Sequence, residues 1–263
     1  MSKKTLWFGT EEYQEWVKCP DQGLQMNSTG RSVNGSFDNG GAWSDRSATL
    51  HRNYSATFSG DISEVSQILD FEAGVFGPGP FYLVDPFSQR TNILTKWISA
   101  PRLMAQDAPS FTKSTRPTLV TTGANGLRLP TRGAVFTLPD AKGVRSFRFP
   151  IPSGYTAYIK WWGSQTGTAV LTCNATEVDP DTVYTKTGPW LDITLGGTGT
   201  ITIYGMVVQL RPTTGPDTPD FHVFYPGMGT TALDITGTQL TGYSAIRGRV
   251  SATVDMLEVG GWL

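Results

Sequence analysis

The chain has 263 residues, of which 30 are glycine, 17 are proline and only 16% are charged, for a net charge of −1. That length fills one large or two medium domains, and that composition favours β structure joined by turns over helical packing. The near-zero charge leaves no basic field to condense phosphates, which argues against nucleic acid as a partner. No apolar run approaches the roughly 20 residues that cross a bilayer, so a soluble chain is expected.

The N-terminus, MSKKTLWFGTEEYQEW, reaches Glu11, Glu12 and Glu15 without an apolar stretch of signal-peptide length, which predicts folding in a cytoplasm. The Asn-X-Ser/Thr triplets that begin at Asn27, Asn34, Asn53 and Asn174 are then products of a Ser/Thr-rich composition rather than glycan acceptors. Cys19 and Cys173 stand far apart, each without a CxxC neighbour, so two buried free thiols are expected rather than a disulfide or a metal knuckle.

HRNYSATFSG alternates Tyr54, Ala56 and Phe58 with Asn53, Ser55, Thr57 and Ser59, the period of a half-buried strand. Asp61 and Glu64 then form a capping-box pattern. Ile62, Val65, Ile68 and Leu69 fall on one helical face, and Gly74 stands where a left-handed cap would end the helix. Next comes GPGPFYLVDPFSQRTNIL. The two Gly-Pro pairs form a stiff, non-helical entry to a strand PFYLVDP, and a second short strand is expected at NIL.

ISAPRLMAQDAPSFTKSTRP, with prolines at 101, 109 and 117, reads as a linker. From about Thr118 to Arg211 the chain is a succession of short strands (GAVFTL, SFRFPI, YTAYIKWW, TAVLTC, PWLDITL and TITIYGMVVQL) at the spacing of a sandwich or jelly roll. In the last of them the apolar phase switches at Gly205, from Ile201 and Ile203 to Met206, Val208 and Leu210, which predicts a bulge. RPTTGPDTPDF is a second proline-rich break. The remainder is too short for a core of its own, yet ends in a strand with Val250, Ala252, Val254 and Met256 on one face. That strand must complete an earlier sheet, so the expected division is 1–104 with 219–263 as one domain and 105–218 as an inserted β-sandwich.

No catalytic constellation stands out. His51 and His222 lack a metal-protease context, no G-x-S-x-G elbow occurs, and GGTGTIT at 196–202 lacks the GK[ST] ending of a phosphate loop and reads as a hairpin turn. Glu177, Asp179 and Asp181 lie in a proline-bearing loop, where acids are solvated or turn-forming, and no EF-hand pattern holds them for calcium. The expectation is a chain that is not an enzyme and uses neither cofactor nor metal. Tyr155, Tyr158, Trp161, Trp162 and Trp190 form an aromatic group. Strand phase puts Tyr158 and Trp162 on one face and Trp161 on the other, so Trp161 belongs to the core, while Trp162, Trp190 and Tyr158 are the candidates for stacking on a sugar ring.

The strand RNYSATFSGD, the helix ISEVSQILDFEAG, the strand GPGPFYLVDP followed by NIL, and the closing strand SATVDMLEVGGWL together resemble distal tail proteins and related minor tail proteins of long-tailed bacteriophages. The resemblance implies a mainly β chain, with an N-terminal β-sandwich carrying one helix and a galectin-like or carbohydrate-module-like jelly roll that projects outward. It implies a structural virion protein at the tail tip, assembled in the host cytoplasm as a ring, as in a hexamer. Its implied partners are further copies of itself, the tail tube protein, the tape measure protein and tail hub or other tip proteins, with host cell-wall glycan beyond. A free carbohydrate-binding β-sandwich that recognises a bacterial glycan is the alternative.

Overall fold

The computed structural model describes residues 4–29, 32–36, 42–46, 51–100, 118–121, 132–138, 144–221, 224–244 and 248–259. The stretch from Pro101 to Pro117, read above as a linker, and His222 lie outside the described residues. In chain order the first elements are β1 (Lys4–Gly9), β2 (Gln14–Lys18), β3 (Gln25–Thr29), β4 (Ser32–Ser36), β5 (Ala42–Arg46), β6 (His51–Asp61), α1 (Ile62–Glu72), β7 (Phe81–Val84), α2 (Pro86–Thr91) and α3 (Lys96–Ser99). There follow β8 (Thr118–Thr121), β9 (Arg132–Leu138), β10 (Val144–Pro150), β11 (Tyr155–Gly167), β12 (Val170–Cys173) and β13 (Thr176–Glu177). The last are β14 (Val183–Thr187), β15 (Trp190–Gly196), β16 (Gly199–Pro212), β17 (Thr230–Ser244) and β18 (Arg249–Glu258). The chain divides into two compact units, the first built from Met1–Phe81 with Ala232–Gly261 and the second from Tyr82–Thr231 with Trp262–Leu263.

A seven-stranded sheet, most of whose strands belong to the first unit, runs in the order β2-β1-β7-β17-β18-β6-β3. Its centre is the pairing of β18 with β6, from Arg249 opposite Asp61 to Leu257 opposite Asn53. The alternation visible in both sequences puts Val250, Ala252, Val254 and Met256 on the buried face together with Tyr54, Ala56 and Phe58. α1 packs Val65, Ile68 and Phe71 beneath the sheet. Phe71 meets Phe8 edge-on, with centroids 5.2 Å apart, and Phe8 stacks on Phe81. Each such ring contributes roughly 1.5–3 kcal/mol by leaving water. Ile62, expected on the buried face, is 54% exposed because it opens the helix ahead of the packed turns.

The capping box expected of Asp61 and Glu64 is absent, since Asp61 makes no side-chain cap bond. Glu64 instead pairs with Lys18, 3.4 Å away, and the Lys18 ammonium also donates to the Ser59 carbonyl. Gly74 ends the helix at φ +73, the left-handed conformation its position requires. The GPGP entry leads into β7, whose four residues are all buried.

The next segment differs from its sequence reading. Asp85 accepts from the Phe87 and Ser88 amides while the Ser88 hydroxyl accepts from the Asp85 amide, so a capped helix, α2, starts at Pro86 where no helix was expected. The NIL stretch is not a strand of any sheet. It lies along β16, with the Ile93 amide donating to Val208 O at 2.9 Å and Asn92 Oδ1 accepting from Val208 N at 3.1 Å.

The second unit holds a five-stranded sheet, β14-β11-β16-β9-β8, and a four-stranded sheet, β10-β15-β12-β13. Ala157, Ile159, Trp161, Ile201, Ile203 and Phe136 from the first, and Phe149, Leu171, Leu191, Ile193 and Leu195 from the second, are buried. The predicted bulge is present. Trp162 pairs with Gly205 and Gly163 with Ile203, leaving Tyr204 as the extra residue. Gly205 also makes room, since a Cβ there would sit 2.6 Å from the Phe224 ring. The turn at Gly197 and Thr198 does not close a hairpin, because β15 and β16 belong to different sheets. It packs on the turn after β11, where Thr168 donates its amide to Thr198 O.

Candidate interaction surfaces

A β-sheet edge exposes unpaired amides and carbonyls, and stable monomers blunt it with lysine, proline or brevity. In the second unit the edges follow that rule: β14 carries Lys186, β10 carries Arg148 and Pro150, β13 has two residues and β8 has four. The first unit follows it at β2, which carries Glu15 and Lys18, and departs from it in two places. β3, the opposite end of the sheet, reads QMNST, without charge or proline, and its Met26 is 40% exposed. β17 has fifteen residues, and its neighbour β7 only four, so β7 reaches part of its length. Within β17 the stretch Gly237–Ser244, GTQLTGYS, has neither charge nor proline, and Leu240 is 58% exposed.

The aromatic group is mostly interior. Trp161 is fully buried, as its strand phase predicts, and donates Nε1 to the Val178 carbonyl at 2.9 Å. Trp162, expected as a stacking platform, is 1% exposed. It packs with Ala100, Val207 and Phe224, and the Phe224 ring meets it edge-on at 6.2 Å. The outer face of the five-stranded sheet is thus itself covered here, which leaves Trp162 no ring face for a ligand. Tyr158 is half-buried between Thr185 and Gln209 on the neighbouring strands.

Trp190 is half-buried at the start of β15. The Arg148 guanidinium lies 4.4 Å from its ring centroid, Tyr82 approaches edge-on at 5.7 Å, and Asp192 pairs with Arg148 at 3.5 Å. Asn174, held at φ +49, donates Nδ2 to the Trp190 carbonyl. An aromatic ring beside a guanidinium, a carboxylate and an amide is the chemistry of a polar-ligand contact, here with part of the ring already packed.

Other polar clusters hold the fold. Asn92, fully buried, donates to the Met206 and Tyr225 carbonyls and accepts from the Leu94 and Val208 amides. Arg211 donates to the carbonyls of Thr218 and Arg90 and to Gln209 Oε1, and pairs with Asp217 at 3.4 Å. Burial lowers its pKa while Asp217 works the other way. Glu177 is exposed, and Asp181 pairs with Lys160 at 3.9 Å. Among the described residues no three acidic, His or Cys side chains are grouped to hold a metal ion. Both cysteines are free, but only Cys173 is buried, which pushes its thiol up to about 12; Cys19 is exposed.

No protein-family model matches the chain, and no curated protein matches it significantly. The functional reading therefore rests on the sequence resemblance and on these surfaces. The bare edges escaped the sequence reading. Their lack of charge is visible in QMNST and GTQLTGYS, but that these segments are edges depends on strand order.

Proposed function

We propose that the chain is a structural virion protein of a phage tail tip, whose copies join through the bare edges of the seven-stranded sheet into a ring, a hexamer as in the family its sequence resembles. The observation that carries this reading is β3, an uncharged edge at the end of a sheet whose other end, β2, is blunted, together with β17, which is much longer than its neighbour β7. Neighbouring strands from β17 through β18 and β6 to β3 are antiparallel. A second copy's β17 laid beside β3 continues that alternation. Because the two edges are different strands, the contact is heterologous, the kind that closes rings when its rotation allows. In the virion such a ring would contact the tail tube, tape measure and tail hub proteins.

Negative-stain imaging and a solution mass test this directly. Rings are expected alone or on contact with tail tube protein, and Leu240→Lys should reduce them to monomers. A strictly monomeric wild-type mass at high concentration, with and without tube protein, would overturn the reading. Trp190 supports a second reading, the contact of the sandwich with a bacterial glycan, because it combines partial exposure with Arg148 and Asp192. Loss of cell-wall pull-down in Trp190→Ala, with its melting temperature retained, is the expected sign.

A further inference from the structure

We infer that the end of the first unit where the β1–β2 turn meets the loop after α1 is a docking surface for a cationic, apolar segment of another protein, with Tyr13, Val75 and Phe76 as its apolar floor and Glu12, Asp70 and Glu72 as its charged rim. The two loops are fastened to each other. Thr10 donates its hydroxyl to the Phe76 carbonyl at 2.6 Å and accepts from the Tyr13 amide at 3.2 Å, while the Thr10 amide donates to the Tyr13 carbonyl at 2.8 Å. The Tyr13 ring stacks on Phe76 with centroids 4.4 Å apart, and Phe76 leans on buried Phe71 at 4.9 Å. Turns held in this way present a surface that needs little further ordering on binding.

The floor is exposed where local structure would ordinarily hide it. α1 ends in a Schellman motif, in which the Gly74 amide donates to the Phe71 carbonyl at 3.1 Å and the Val75 amide to the Asp70 carbonyl at 3.0 Å. The residue in the place of Val75 commonly folds an apolar side chain back onto the helix. Val75 is instead 63% exposed, and Tyr13 beside it is 39% exposed. Apolar surface concentrated on two braced loops is what a partner side chain packs against.

The rim selects the charge of that partner. A helix C-terminus is the negative end of the dipole and favours Lys or Arg in its last turn, yet the last turn of α1 has no basic residue and carries Asp70 and Glu72. Glu12 reaches the same loop, its Oε2 3.4 Å from where a Cβ on Gly77 would stand. Among the described residues none of these three carboxylates has an ion-pair partner, whereas Glu64 on the same helix pairs with Lys18. Acids there oppose the dipole and weaken the helix end, so the fold does not call for them, and a lysine or arginine brought by a partner supplies the cation this end lacks. The outward ring of Tyr13, whose hydroxyl donates to Glu15, adds a face for that cation or for an apolar side chain.

The test titrates the full chain into a fluorescein-labelled peptide of alternating lysine and leucine, read by anisotropy, with two control peptides that carry glutamate for lysine or serine for leucine. The first peptide should saturate and both controls should bind more than about tenfold more weakly. Glu72→Lys should weaken binding more than about tenfold while raising the melting temperature, because it suits the helix dipole. Tyr13→Ser should weaken binding as much through loss of the floor. The inference is overturned if the lysine–leucine peptide does not saturate, if either control binds as well, or if both variants bind as the wild type does. A fall in assembly mass in Glu72→Lys would also overturn it, since the occupant would then be a second copy of this chain. Peptide binding is read by anisotropy and ring formation by mass, so the failure of one is told apart from the failure of the other.

Discussion

The two units treat their sheet edges in opposite ways. The second unit ends its sheets with Lys186, with Arg148 and Pro150, or with strands of four and two residues, while β3 and the distal half of β17 in the first carry no charge and no proline. Both units have fully buried cores, Phe8, Phe58 and Phe71 in one and Trp161, Trp162 and Phe136 in the other, so the contrast is not one of stability. It concerns what each unit presents to other chains. A bare edge is an aggregation hazard unless a partner strand covers it, and on the proposed reading that partner is a second copy of the first unit.

The largest expected effect separates core from edge. Trp161→Ala should cost about 3–5 kcal/mol through a cavity and lost burial, and it also orphans the Val178 carbonyl. A thermal melt reads it, and a loss under about 1 kcal/mol would mean that the second unit is not held by this ring. Met26→Lys, on the other bare edge, should lower the assembly mass as Leu240→Lys does while shifting stability by less than about 1 kcal/mol, because the side chain is exposed in the single chain. If only one of the two variants dissociates the assembly, the two edges do not meet each other.

Lys186→Val tests the same contrast from the other side. It should leave assembly mass unchanged and raise light scattering on heating, because it bares an edge that already exposes Val183. The smallest effect is chemical. Maleimide at neutral pH should label Cys19 and spare Cys173 until the chain unfolds. Burial holds the Cys173 thiol protonated up to about 12, from an ordinary value of 9.0, so the unfolded state loses its proton first. Stability from this group is complete below pH 9 and falls as pH rises from there towards 12, which alkaline melts of wild type and Cys173→Ala will show.

Much of the fold was legible because its signals are local. Tyr54, Ala56 and Phe58 alternate with hydroxyl and amide residues, as do Val250, Ala252, Val254 and Met256, and a period of two can satisfy only one buried face. The phase switch at Gly205 announced the bulge in the same way. The helix at Pro86 was missed although its signal, Asp85 followed by proline and Ser88, stands in the sequence, because the apolar NIL stretch beyond it suggested a strand instead.

What local pattern could not supply is who covers whom. Trp162 has the strand phase of an outward residue, and burial came from Ala100 and Phe224, far away in the chain, which lie on that face. Likewise the lack of charge in QMNST stands in the sequence, but only strand order leaves that stretch at an edge. Alternation is dictated by the backbone of one strand and so can be read from sequence. Edges and covered faces are relations between strands distant in sequence, settled only when long-range pairing is complete.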